Sequence, residues 1–149
     1  GFARLMDRAT IALAAEMMGG ARALLDQAVD YARLRMQFGR PIGAFQAIKH
    51  KLADLLLEVE VATAAVRYAA AAVDADDPEV PALASQAKAM ATEAYLKSAI
   101  DSIQIHGGIG FTWDHDSHLW FKRAKSSEVL LGDAAWHRER FLALTEAAA

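Results

Sequence analysis

FQAIKHKLADLLLEVEVATAAVRYAAAAV, residues 45–73, is the stretch on which the fold turns. Phe45, Ile48, Leu52, Leu55, Val59, Ala62, Val66, Ala69 and Val73 follow one another at alternating spacings of three and four. That spacing sets them on one face of an α-helix, in an unbroken heptad stripe over roughly 30 residues, or about 45 Å of helix. A helix this long with so narrow a seam packs at a shallow angle against long neighbours, which is the geometry of a helical bundle. The helix closes at Asp74-Ala-Asp-Asp-Pro78, a cluster of turn formers.

Composition supports the same reading. Alanine fills 34 of the 149 positions, against nine glycines and three prolines; it is the best helix former and a poor strand former. With 54% hydrophobic residues the chain can build one core, and a single domain over residues 1–149 is expected. The absence of cysteine excludes disulfides, a thiolate metal site and a cysteine nucleophile. A net charge of −3 provides no field for gathering nucleic acid. The most apolar run, Val61 to Val73, is interrupted by Arg67 and is too short to span a bilayer. The chain opens with neither a signal-peptide pattern nor an initiator Met, so the expectation is a processed chain or an excised domain, located in the cytoplasm.

A first helix is predicted from about Asp7 to Met36, with Ile11, Ala15, Met18, Leu25, Val29 and Ala32 on one stripe. Arg22 falls on that stripe and reads as a structural residue whose stem covers apolar surface while its head meets water or a carboxylate. Gly19-Gly20 costs about 1 kcal/mol per glycine in mid-helix, a cost that close approach of another element would offset. Gly39-Arg40-Pro41 is read as the helix stop. A third helix is predicted from about Pro81 to His106, with Leu83, Ala87, Met90 and Ala94 on one stripe and Leu96, Ile100 and Ile103 on a slightly rotated one. Two shorter helices follow, Ser117–Val129 and Asp133–Ala147. The expected fold is therefore all-α, an up-and-down bundle of three long and two shorter helices.

Chemistry is sought in the loops. Arg35-Met36-Gln37-Phe38-Gly39-Arg40-Pro41-Ile42-Gly43-Ala44-Phe45-Gln46 reads either as a solvated turn whose phenylalanines plug the bundle end, or as a ligand edge. In the second case the Arg35 fork holds a phosphate and Phe38 or Phe45 faces an aromatic ring. Gln104-Ile105-His106-Gly107-Gly108-Ile109-Gly110-Phe111-Thr112 reads either as a glycine helix cap or as a backbone nest for a ligand. Asp114-His115-Asp116-x-His118 holds metal-ligand types, yet Asp116 or Ser117 reads more naturally as the N-cap of the next helix, and no metal is expected.

Taken together, Tyr31-Ala-x-x-Arg-x-Gln-Phe-Gly-x-Pro-Ile-x-x-Phe-Gln46, Leu52-Ala53-Asp54 and Gln104-Ile-His-Gly-Gly-x-Gly-Phe-Thr112 closely resemble the C-terminal α-helical domain of the flavin-dependent acyl-CoA dehydrogenases. The resemblance runs from about Thr10 to Leu144 and implies dimers or dimers of dimers with FAD in a cleft between subunits. It implies that Arg35, Gln37, Phe38, Phe45, Gln46, Gln104, Gly107 and Gly108 surround FAD, chiefly its adenosine-diphosphate half. It also implies α,β-dehydrogenation of an acyl-CoA thioester, in which a carboxylate removes the α-proton and the flavin receives a hydride. An electron-transfer protein is the implied acceptor.

The sequence departs from the family pattern at the base. The usual glutamate of a Tyr-Glu-Gly-Thr motif is matched by Leu131 in Leu130-Leu-Gly-Asp133, and the alternative site early in the first helix is matched by about Ala9. Asp133 is a candidate displaced base, although Asp-x-x-Trp equally reads as a helix N-cap; Glu128 and Glu16 are weaker candidates. The other openings are a different base or reaction, and a non-catalytic subunit of a heteromer whose partner carries the base. A purely structural interaction module, using the seam of the second helix, is a further alternative.

Overall fold

The computed structural model of the chain describes residues 1–147. It comprises five α-helices: α1 (Phe2–Leu34), α2 (Gln46–Asp74), α3 (Val80–His106), α4 (Ser117–Val129) and α5 (Ala134–Glu146). The expected bundle of three long and two shorter helices is what forms. No helix among the described residues is long and apolar enough to cross a membrane.

On α2 the heptad stripe is buried through its middle, at Leu55, Val59, Ala62, Val66 and Ala69, and half-buried at Ile48, Leu52 and Val73. α3 is the central element, lying against α1, α2, α4 and α5. Its buried residues include Ala84, Ala87, Ala91, Ala94 and Ala99, while α1 buries Ala14, Ala21 and Ala28. Small side chains on both helices let the axes come close without voids. The glycine pair divides in the same way. A methyl on Gly20 would stand 2.6 Å from the Tyr95 ring of α3, whereas Gly19 has nothing within 4 Å.

Three expectations need correction. α1 stops at Leu34, not Met36, because Arg35 is extended and opens a two-stranded antiparallel hairpin, β1 (Met36–Gln37) with β2 (Arg40–Pro41). Phe38 and Gly39 both have positive φ (53° and 75°), as a type I′ two-residue hairpin turn requires, so Gly39 closes a hairpin and not a helix. The rotated stripe on α3 is not a core stripe: Ile100 is 54% exposed. Since α3 is enclosed by four helices, its interior positions include Lys88, Thr92, Ser98 and Ser102, which no apolar periodicity reveals. Finally, Asp116 precedes α4 but its side chain makes no capping bond. The imidazole of His115 does this work, accepting the Ser117 N–H at Nδ1 over 3.2 Å. The expected cap at Asp133 does form.

Ion pairs tie the helices together, one exposed and one largely buried. Arg22 reaches Asp26 on its own helix and Glu60 on α2 (2.7 Å), consistent with its reading as a structural residue. Arg140 of α5 donates to Asp7 of α1 (2.7 Å) and to Ser85 of α3 (2.8 Å).

The two neighbouring glycines should respond oppositely to alanine. Gly20→Ala should destabilise by about 1–3 kcal/mol through overpacking against Tyr95, and Gly19→Ala should stabilise by about 0.5–1 kcal/mol through helix propensity. Urea unfolding of the two variants measures both, and equal shifts would contradict the close approach of α1 and α3.

Candidate functional site

At one end of the bundle the end of α1, the hairpin and the end of α3 meet. The Arg35 carbonyl accepts the Ile42 N–H (2.9 Å), which folds the hairpin back onto α1. A Cβ on Gly43 would stand 2.9 Å from the Ala32 carbonyl, so the segment after the hairpin lies directly on the helix end. α3 stops at Gly107, whose φ of +63° lets its N–H return to the Ile103 carbonyl while the chain turns away. Between these parts lies a depression of about 300 Å³ lined by Tyr31, Arg35, Gln37, Ile42, Ile105, His106, Gly107, Gly108 and Ile109.

Four of the residues singled out by the sequence, Arg35, Gln37, Gly107 and Gly108, thus line one depression. The other four flavin-contact candidates do not line it. Phe38 sits at the hairpin tip, 85% exposed, edge-on to Phe45 at 6.2 Å, and Arg40 covers the Phe45 ring at 4.1 Å. Gln46 opens α2 and Gln104 lies on the last turn of α3, both exposed. Sequence reading did not place Tyr31 and His106 among the flavin contacts. Their rings lie 4.3 Å apart, and His106 also stacks on His115 at 4.4 Å. Both residues stand inside the two motifs, which was the available signal.

The depression holds the Arg35 guanidinium with no acidic partner. No carboxylate lines it, and among the described residues none lies within 4 Å of Arg35. A Cβ built on Gly107 or Gly108 would meet nothing within 4 Å, so the space beside these glycines is open to a ligand. Burial holds the His106 imidazole below its ordinary pKa, so the ring is neutral at neutral pH.

A second feature lies at the α4–α5 turn. Leu131 has φ +62°, a left-handed conformation costly for a branched residue, and Gly132 follows at +104°. Two buried side chains hold this turn. Lys88, fully enclosed in α3, donates from Nζ to Gly132 O (3.0 Å), Glu128 O (3.2 Å) and Thr92 Oγ1 (3.2 Å). His137 Nε2 bonds to Leu131 O (3.0 Å). Desolvation lowers the Lys88 pKa to about 8, opposed by the nearby Asp133 and Glu128 charges. Lys88 and His106 are 18 residues apart on one helix, so the two features are separated by about 27 Å.

The carboxylates weighed as a base are engaged elsewhere. Asp133 accepts the Trp136 N–H at Oδ1 (2.8 Å) as the cap of α5. Glu128 pairs with Lys125, and Glu16 with Arg123. Among the described residues no group of three or more His, Asp or Glu is placed to hold a metal.

The model of the acyl-CoA dehydrogenase C-terminal domain matches residues 2–143. The chain belongs to this family. It is 47% identical over 127 residues to the acyl-CoA dehydrogenase IpdE2 of Mycobacterium tuberculosis, covering 85% of this chain and 38% of that protein. The fold matches butyryl-CoA dehydrogenase of Megasphaera elsdenii with a TM-score of 0.91 at 29% identity, over 96% of this chain and 37% of that one. It also matches a chain of the ChsE4–ChsE5 complex of Mycobacterium tuberculosis with a TM-score of 0.85 at 35% identity, over 91% and 37%. The chain therefore spans little more than a third of the length of these relatives.

The buried lysine yields a pH test. Unfolded Lys88 keeps its proton up to about pH 10.5 and folded Lys88 releases it near 8, so between these values the unfolded state holds more protons and stability rises with pH. Relative to Lys88→Met, the wild type should gain up to about 3 kcal/mol from pH 7 to pH 10.5. Denaturant melts across that range measure it, and a constant difference would contradict the enclosed ammonium.

Proposed function

We propose that residues 1–149 form a single C-terminal helical domain of an FAD-dependent acyl-CoA dehydrogenase, with the cytoplasm as its compartment. In this reading the domain contacts the adenosine-diphosphate half of FAD through the depression between Arg35 and Gly108. The observation that carries the reading is that Arg35, Gln37, Gly107 and Gly108, from two motifs, line one depression without a carboxylate. Arg35 supplies a fork for the pyrophosphate, and the glycines allow close backbone approach. Phe38, Phe45, Gln46 and Gln104 belong to the reading as rim contacts, reached when a second subunit lies against this face. FAD, when bound, supplies the acceptor for the hydride removed from the acyl-CoA β-carbon. The 27 Å between the depression and the α4–α5 turn suits a domain whose two ends serve the cofactors of different subunits of a dimer or tetramer.

A second reading concerns the base and is favoured by three observations: Leu131 at the position of the family glutamate, half-buried Ala9 at the alternative, and Asp133 occupied as a cap. In this reading the chain belongs to the subunit of a heteromeric dehydrogenase that lacks the base, which a partner subunit provides. Its similarity to a chain of the ChsE4–ChsE5 complex supports that arrangement. An electron-transfer protein would reoxidise the flavin.

The complete protein, purified with its partner subunit if it has one, should carry a flavin absorbance spectrum, and a colourless assembly indifferent to FAD would sink the proposal. Arg35→Ala should weaken FAD retention roughly ten- to a hundredfold, the loss of a charge-assisted contact. Asparagine caps helices as well as aspartate does, so Asp133→Asn should leave acyl-CoA oxidation with an artificial acceptor unchanged. Loss of turnover in that variant would make Asp133 the base.

A further inference from the structure

The start of α4 is capped by a side chain that titrates. His115 Nδ1 accepts the Ser117 N–H (3.2 Å), and the Ser117 hydroxyl lies 2.6 Å from the same nitrogen. A backbone N–H can only donate, so Nδ1 carries the lone pair and the ring proton sits on Nε2. The usual helix caps are oxygens of serine, threonine, asparagine or aspartate, which remain acceptors throughout the physiological pH range. An imidazole nitrogen accepts only while the ring is neutral, and histidine is the side chain that ordinarily charges between about pH 5 and 8. No second cap stands by, since the Asp116 side chain makes no capping bond and the first turn of α4 holds no acidic residue.

The surroundings give a charged His115 no partner. Its ring lies 4.4 Å from that of His106 on α3, which in turn lies 4.3 Å from the Tyr31 ring of α1. Burial keeps His106 neutral, so it supplies no counter-charge. On α4, His118 donates from Nδ1 to the His115 carbonyl (2.9 Å) in either of its own charge states, and Lys122 covers the Trp113 ring at 4.8 Å. Asp114 and Asp116 flank His115 in the loop, yet among the described residues no carboxylate oxygen lies within 4 Å of a His115 nitrogen. A cation here also faces the N-terminal end of a helix, where the backbone dipole opposes it.

We propose that His115 is an acid-released latch: neutral, it caps α4 and ties the segment 107–116 to the helix; protonated, it gives up the Ser117 N–H and frees the helix start. Ser117 is 2% exposed, so the abandoned N–H is left in a buried place, while the hydroxyl reverses and accepts from the charged ring. The released segment begins with Gly107, Gly108 and Ile109, which line the depression, so acidification loosens one edge of it without charging a residue that lines it. The latch does not depend on what the depression binds.

The test is amide hydrogen exchange of the complete protein, read by mass spectrometry on peptides covering residues 107–122. Exchange is compared at about pH 8 and about pH 5, the limits of histidine titration, with rates corrected for the intrinsic pH dependence of exchange. Wild type is set beside His115→Asn and His115→Phe. Asparagine makes the same bond to the N–H two residues on and does not titrate, while phenylalanine keeps a ring against His106 without an acceptor. Wild type should open the start of α4 roughly tenfold more readily at the lower pH, the combined effect of a lost cap and an opposing dipole. His115→Asn should stay protected at both values, and His115→Phe should be open at both. Equal protection of the wild type at the two pH values overturns the latch. So does a wild-type pH response in His115→Asn, which would assign the titration to another group, or full protection of His115→Phe at the higher pH, which would mean that the ring packs without capping.

Discussion

Enclosure of α3 is the constraint on which the rest of the molecule depends. A helix surrounded by four others cannot carry large side chains on every face, and the alanines of α3 and α1, with Gly20 under the Tyr95 ring, let the axes approach. Enclosure also dictates how the polar residues inside are satisfied. Thr92 and Ser98 turn their hydroxyls back to carbonyls of their own helix, at Lys88 (2.8 Å) and Ala94 (2.7 Å), and Lys88 finds carbonyls on the α4–α5 turn. An ammonium without water is costly, and its neutral oxygen partners offset only part of that cost, which is why its pKa falls.

A rigid central helix has two fixed ends, and both are used. At the C-terminal end, Gly107 redirects the chain and His106 is left at the wall of the depression beside the hairpin. Toward the N-terminal end, Lys88 holds the turn in which Leu131 adopts a left-handed backbone, with His137 bracing the same turn. Strained backbone persists where its surroundings over-determine it. Here the scaffold of the turn is kept, while the side chain at 131 is one that cannot take a proton.

The bundle was legible because its signals are local. The three-four spacing on α2, the turn cluster at Asp74–Pro78 and the Asp133 cap depend on residues within a turn or two of one another. Where sequence reading failed, a distant partner decided the outcome. Ile100 looks like a core residue until the positions of four neighbouring helices are known, and Lys88 looks like a surface residue for the same reason. Met36 could extend α1 by propensity, yet cross-strand pairing with Pro41 takes it into a hairpin. At Asp116 the expected cap does not form, and the ring of His115 accepts the Ser117 N–H at the start of the helix.

By itself the sequence determined the helices, the family they belong to, and the residue types available for a phosphate-bearing ligand, because periodicity and motif spacing are properties of the chain. Only the tertiary structure decided which of those residues meet. Arg35, Gln37, Gly107 and Gly108 line one depression while Phe38, Phe45, Gln46 and Gln104 stand outside it, since the hairpin folds back on α1 at Gly43 and turns its tip outward. The structure also decided that His115 caps α4, which depends on its ring packing against His106 of α3 while its Nδ1 meets the Ser117 N–H.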